Sequence, residues 1–346
     1  MGTNAKQNAI IDFVIRYPDT SSKEIADGLQ SMAIATVKRA LQKLVADNDL
    51  YVTGKGKSTR YYVSPGYELL RTINVAEYFT KEIDERKIKT GFNHDLIQNV
   101  ISKSRIFADS ELIKLQNLQD LYIEKSSQLT AYEYKRERER LAIDLSWKSS
   151  QIEGNTYSLL ETERLLKEKE TASGKSKDDA TMLLNHKEAI DFIIEHPQYV
   201  APLTVPAIED IHSILMQDLG IDRNMRTHRV AISGTNYKPL DNQFQIKEAL
   251  ESMCELVNNQ SNVFTKALLV LTIISYIQAF ADGNKRTARI ISNAVLISNN
   301  YCPISFRTVD SIEYKKAMLI FYEQNNIMPL KNIFINQFEF AVNTYF

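Results

Sequence analysis

The stretch KALLVLTIISYIQAF, residues 266–280, is apolar almost all round. A helix of that composition has no face to give to solvent, so it must lie buried with other elements packed around it. It breaks at Asp282-Gly283-Asn284, and KRTARIISNAVLI opens a second, amphipathic helix. This is the longest apolar run of the chain, and it is too short and too polar for a bilayer crossing, which needs roughly 20 residues. The expectation is a mainly α domain built around one buried helix and its partner across a glycine-asparagine junction.

That junction carries chemistry. Gly283 and Asn284 readily adopt the positive φ that turns successive backbone N–H groups into one concavity. The free N–H groups of the next helix's first turn point the same way, and such a nest binds anions, phosphate above all. Arg286 and Arg289 are three apart and share a helix face, where their forked guanidiniums suit phosphate oxygens. Asp282 at the lip could hold Mg²⁺, which commonly takes one or two carboxylates plus phosphate oxygens. A helix corner with a surface arginine pair is the bland alternative.

Upstream, NAIIDFVIRYP, TSSKEIADGLQ and MAIATVKRALQKLVADNDL are helical in pattern, the last with Ile34, Val37, Leu41 and Leu44 on one stripe. YVTGKGKSTRYYV follows as two β-rich runs around a turn. Helix, helix, helix, basic hairpin resembles a winged helix-turn-helix domain over residues 1–65. In such domains the third helix enters the DNA major groove and the wing touches backbone. Lys38, Arg39 and Lys43 would then face DNA from the helix, with Lys55, Lys57 and Arg60 on the wing. The other use of such a domain is protein contact or dimerisation, which makes a homodimer a candidate assembly. GKGKST is no P-loop: Tyr51 stands where the first glycine belongs, and the context is a hairpin.

Residues 66–140 are polar and helical in pattern, with AEYFTKEIDERKI and HDLIQNVISKSRIF as expected helices of a connecting region. From 141 helical patterns dominate, except at HRVAISGTNYKPL. There Val230 and Ile232 lead into a Gly234-Thr235-Asn236 turn, a short β-hairpin by its signals. The net charge of −1 over 346 residues confines any nucleic-acid contact to a local patch. The two cysteines, Cys254 and Cys302, lack partners at metal-ligand spacing and fit a reducing compartment. No apolar signal segment opens the sequence, and after Met1-Gly2 a lysine, Lys6, stands where a myristoylation signal has Ser or Thr. The expectation is a cytoplasmic protein without membrane contact.

QAFADGNKRTAR resembles the Fic-domain signature, His-x-Phe-x-(Asp/Glu)-Gly-Asn-(Gly/Lys)-Arg-x-x-Arg, at every fixed position but the first. SSQIEGN resembles the Ser-x-x-x-Glu-(Gly/Asn) inhibitory helix of the same family, with Ser149, Glu153 and Gly154. The resemblance covers residues 141–346, with the inhibitory helix around 146–156. It implies a Fic-type helical bundle in which Val230, Ile232 and Gly234 belong to a β-hairpin flap that positions substrate. It also implies transfer of AMP from Mg·ATP to a hydroxyl of a target protein. Carried over, Gly283, Asn284 and Lys285 cradle phosphates, Arg286 clamps them and Asp282 holds Mg²⁺. Arg289 receives the γ-phosphate, and Glu153 pairs with Arg289 to deny it that role. Lys285 also occurs in family members that transfer phosphate with ATP reversed; the second arginine and the inhibitory motif favour AMP transfer.

Gln278 stands where the family has its histidine. Imidazole can take the proton of the attacking hydroxyl; an amide can only orient that hydroxyl. General-base help is worth roughly 10²- to 10⁴-fold, so nucleotide binding is expected to survive better than transfer. The alternative is a non-catalytic nucleotide-binding regulator with a DNA-binding winged helix. None of the five histidines lies beyond His228, which precedes the flap and is the one candidate substitute base.

Overall fold

The computed structural model describes residues 3–346, with side chains from residue 5; the Met1-Gly2 start lies outside them. Two compact units divide the chain, one running to Thr72 and including Asn99–Ser104, the other made of Ile73–Gln98 and Arg105–Phe346. In the first, helices α1 (Thr3–Arg16), α2 (Ser22–Leu29) and α3 (Ile34–Ala46) precede strands β1 (Leu50–Thr53) and β2 (Arg60–Val63), with α4 (Pro65–Leu70) after them. The strands pair antiparallel from Leu50↔Val63 to Thr53↔Arg60. A capping box starts α2: Ser21 Oγ accepts from Glu24 N, and Glu24 Oε2 accepts from Ser21 N at 2.7 Å. Ile10, Val14, Ile25, Val37, Leu41, Leu44 and Leu50 close its core. Ile34, expected on that stripe, is 43% exposed, because it is the first residue of α3 and faces away before the helix meets the core.

The second unit holds the remaining helices: α5 (Val75–Tyr78), α6 (Asp109–Gln128), α7 (Ala131–Ile152), α8 (Leu159–Glu168), α9 (Lys177–Glu195), α10 (Val205–Leu215), α11 (Gln243–Asn259), α12 (Val263–Ile277), α13 (Asn284–Ser298), α14 (Ser311–Gln324) and α15 (Met328–Tyr345). Every residue of α12 but Lys266 is buried, as its composition requires. Helix α13 packs along it, with α7, α9 and α10 on the other sides of α13 and α11, α14 and α15 around α12. Both cysteines are buried and free, and no helix among the described residues is long and apolar enough to cross a membrane.

Two expectations fail here. The hairpin over Val230–Pro239 does not form; β1–β2 is the sole sheet among the described residues. Its second arm pairs elsewhere: Lys238 N donates to Thr90 O at 2.8 Å, and Gly91 and Lys238 make an isolated parallel bridge. A backbone N–H spent on a remote carbonyl is not available to the neighbouring arm. The helices expected over AEYFTKEIDERKI and HDLIQNVISKSRIF also shrink, to the single turn of α5, a 3₁₀ turn at Ile83–Glu85 and short irregular turns over 96–103. Backbone groups of the first segment bond across the unit instead; Lys87 O, for one, accepts from Gln324 Nε2 at 2.6 Å.

Candidate functional site

Helix α12 ends at Gln278, whose left-handed backbone (φ 54°) lets its N–H cap Ile274 O. The chain then plunges through Ala279 and Phe280, both fully buried, and turns at Gly283 (φ 83°) into α13. A Cβ at Gly283 would stand 2.5 Å from Met216 Cε and 3.0 Å from its Sδ, so a side chain there would displace the Met216 tip, and the positive φ itself favours glycine. The first α-type bond of α13 runs from Thr287 N to Gly283 O. The N–H groups before it open onto a cavity of about 380 Å³. Its walls come from Glu153, Val230–Ser233, Gln278, residues 281–286 and the α14 side chains of Lys315, Met318, Leu319 and Tyr322.

The turn is held from within. Asn284 Oδ1 accepts from Phe280 N at 2.9 Å, and its Nδ2 donates to Phe280 O at 2.8 Å and to Gln278 Oε1 at 3.2 Å. At 4% exposure the Asn284 side chain builds the loop, leaving its backbone to face the cavity. The Gln278 amide is likewise engaged, donating to Ser275 O at 2.7 Å and to the Tyr322 hydroxyl at 3.4 Å. It was expected to be free to orient a hydroxyl; instead it brackets the end of α12 to the turn. His212, missed in the sequence, stacks on Phe280 at 3.6 Å and sets its Nε2 2.9 Å from Asp282 O. The apolar spacing of AIEDIHSIL is the local signal that could have set it on a buried helix face. His228 is exposed and absent from the cavity wall, so nothing places it as a substitute base.

Arg286 is buried to 1% exposure. Its Nη2 donates to Asp282 Oδ2 at 2.8 Å, while Nε and Nη1 have no hydrogen-bond partner among the described residues. Burial pulls its pKa down and the Asp282 and Glu153 carboxylates push it back up. Buried cationic donors without acceptors are costly, and an anion lying in the cavity would satisfy them. Arg289, fully buried, does not reach the cavity: its Nε donates to Ser149 Oγ (2.8 Å) and its Nη2 to Ser149 O (3.0 Å) and Glu153 Oε1 (2.8 Å). Glu153, the C-cap of α7 followed by Gly154 at φ 105°, sends its other oxygen to Lys285 Nζ at 2.7 Å. Lys285 was expected at the phosphates, and its pairing with Glu153 was not foreseen. Burial works to raise the Glu153 carboxyl, but Arg289 and Lys285 outweigh it and hold the group at about 2. The ion triad therefore sits between the nest and Arg289.

No cluster of three His, Cys, Asp or Glu side chains suits a metal among the described residues. Asp282 alone, its side chain 60% exposed at the rim, offers a carboxylate beside the nest. One carboxylate fits an Mg²⁺ carried in by phosphates and does not fit a resident metal. Of the flap residues, Val230 and Ile232 line the cavity, whereas Gly234 sits at the turn beyond it. In the first unit Lys38, Arg39, Lys43, Lys55 and Lys57 are exposed on α3 and the hairpin turn. Arg60 is half-buried and turned towards Asp19 (3.9 Å) and Thr59 O.

Residues 202–296 match the model of the Fic/DOC family. Among named relatives, Protein adenylyltransferase Fic of Nematostella vectensis is 29% identical over 182 residues, 48% of this chain and 40% of that protein. Protein adenylyltransferase fic-1 of Caenorhabditis elegans is 22% identical over 177 residues, 48% of this chain and 34% of its own. Protein adenylyltransferase Fic of Drosophila mojavensis is 21% identical over 326 residues, 86% and 62%. The matches thus span less than two thirds of each relative. In structure, a Fic-domain-containing signalling protein of Bacteroides thetaiotaomicron superposes with a TM-score of 0.57 at 22% identity, over 67% of this chain and 95% of that one. Fic-1 of C. elegans superposes with a TM-score of 0.57 at 18% identity, over 68% and 72%. The fold of the second unit is the Fic fold.

Proposed function

We propose that this chain binds Mg·ATP in the cavity before α13 and transfers AMP to a hydroxyl of a target protein, slowly, under restraint by Glu153. One observation carries the reading: a fully buried arginine with two unpartnered donors, Arg286, beside a glycine nest that opens onto a nucleotide-sized cavity. The names of the relatives support the reaction class. In this reading the nest and Arg286 hold phosphate oxygens, and Asp282 holds Mg²⁺, which supplies charge neutralisation to the phosphates when bound. The target hydroxyl attacks the α-phosphorus; the new P–O bond forms as the α–β anhydride bond breaks and pyrophosphate leaves. The hydroxyl proton passes to solvent, since the Gln278 amide cannot accept it. Glu153 holds Lys285 and Arg289, so a γ-phosphate meets a carboxylate and two occupied cations until the α7 end moves.

The engagement of the Gln278 amide favours a second reading: a non-catalytic regulator that senses nucleotide with the Fic domain and binds DNA through a winged helix. Labelled ATP incubated with the native protein and Glu153→Gly separates the two. Label appearing on protein with Glu153→Gly supports transfer. Nucleotide binding without label, also after release of Glu153, supports the regulator.

A further inference from the structure

Residues 83–91 looked in sequence like part of a polar connector, yet they bond to two walls of the cavity at once. Arg86 is the centre. Its Nη2 donates to Gly234 O at 2.7 Å, at the tip of the 230–238 wall. Its Nη1 lies 3.1 Å from a carboxylate oxygen of Glu323, in the last turn of α14, in a pair almost wholly withdrawn from solvent. Tyr78 Oη donates to the same carboxylate at 2.6 Å, and the Arg86 guanidinium lies 5.2 Å from the centre of the Phe79 ring. Around it, Asn236 Nδ2 donates to Asp84 Oδ1 (2.9 Å), Lys238 N to Thr90 O (2.8 Å), and Gln324 Nε2 to Lys87 O (2.6 Å).

The 230–238 segment has no hairpin of its own, so these bonds stand in for a strand partner. Helix α14 also brings Lys315, Met318, Leu319 and Tyr322 to the cavity. One guanidinium thus spans the carbonyl of one wall and the carboxylate of the other, a two-pronged task that suits arginine and not lysine. We propose that residues 83–91 are a brace that fixes the 230–238 wall, with Arg86 as its positioning residue for the acceptor polypeptide. Naming the acceptor rests on the adenylyl-transfer reading; the brace itself does not. The nest and Arg286 lie on the α12–α13 junction, outside the brace, so the phosphate contacts are independent of it.

Truncating Arg86 would strand the buried Glu323 charge and could simply unfold the unit. The test therefore uses Arg86→Lys, which keeps the charge for Glu323 and cannot also hold Gly234, and Asp84→Ala/Asn236→Ala, which cuts the exposed tip contact. Hydrogen exchange is followed by mass spectrometry on the full chain, with Mg·ATP affinity by titration. Exchange over 230–238 is expected to rise about tenfold in Arg86→Lys, the worth of one charge-assisted hydrogen bond, and less in the tip variant. Exchange in α12 and α13 and the ATP affinity should stay within about twofold of the parent. In a Glu153→Gly background, labelling at saturating ATP should fall about tenfold with no change in KM for ATP, since only acceptor alignment is lost. Unchanged exchange over 230–238, or an equal rise along α12 and α13, overturns the brace. Should the Glu153→Gly parent take no label, the transfer reading fails and the exchange result still decides the brace.

Discussion

Replacing Glu153 by glutamine keeps the shape of the side chain and removes the charge that meets Arg289 at 2.8 Å and Lys285 at 2.7 Å. The carboxyl is held at about 2 against an ordinary 4.5. At 1.36 kcal/mol per pKa unit, the two cations favour its charged form by about 3 kcal/mol. Glu153→Gln forfeits most of that, while Arg289 keeps its two bonds to Ser149. The melting temperature should drop by ~3–5 °C in this chain. Nucleotide should gain part of what the carboxylate gave up, because Lys285 on the cavity wall becomes free for the γ-phosphate. With part of the 3 kcal/mol returned to solvent, ATP affinity should tighten about 10- to 100-fold. ADP, which lacks the γ-phosphate, should gain little. Calorimetric titration of both nucleotides into native and variant protein makes the comparison. An ATP gain below about twofold, or equal gains for ATP and ADP, would refute competition between Glu153 and the γ-phosphate.

Protonation should not open this contact near neutrality. A carboxyl pushed down from 4.5 contributes fully above its ordinary value and loses that contribution only as pH falls through about 2. The ratio of ATP affinities between Glu153→Gln and native protein should therefore be flat from pH 5 to pH 8; a collapse near pH 6 would contradict the assignment. Gly283→Ala must place a Cβ at positive φ and within 2.5 Å of Met216 Cε. It should lower stability by about 1–3 kcal/mol in chemical denaturation and weaken ATP binding at least tenfold. Replacing Lys38, Arg39 and Lys43 together by alanine should weaken any salt-dependent DNA binding found in a mobility-shift titration to the residual left by the cations of the hairpin turn; undiminished binding would remove α3 as the interface.

What the sequence could show follows from where the partners lie. The α12–α13 junction was legible because its signals are local: an all-round apolar run, a Gly-Asn turn and arginines one helical turn apart. Glu153 and Arg289 meet across 136 residues, and there only the family resemblance pointed to the pair. Arg226 carried no such signal, although its buried guanidinium donates to Gln278 O, His228 O and Leu240 O and so fastens both ends of the 230–238 wall beside the turn. The same holds for Arg86 and Glu323. The hairpin was misread because turn residues and alternation describe one segment, whereas pairing depends on which carbonyl reaches it first; here Thr90 does. The contacts of Gln278 were hidden for a related reason. Its residue type excludes a base, but only its left-handed backbone at the end of α12 brings its amide onto Ser275 O and Asn284.

On the proposed reading this site holds a nucleotide better than it uses one, and Gln278 sets the difference. Labelling rates at saturating Mg·ATP for Glu153→Gly and for Glu153→Gly/Gln278→His, with ATP affinity measured on the same samples, test it most directly. The account predicts that histidine raises the rate about 10²- to 10⁴-fold while affinity stays within about threefold. Equal rates in the two proteins, or no ATP binding by either, would contradict it.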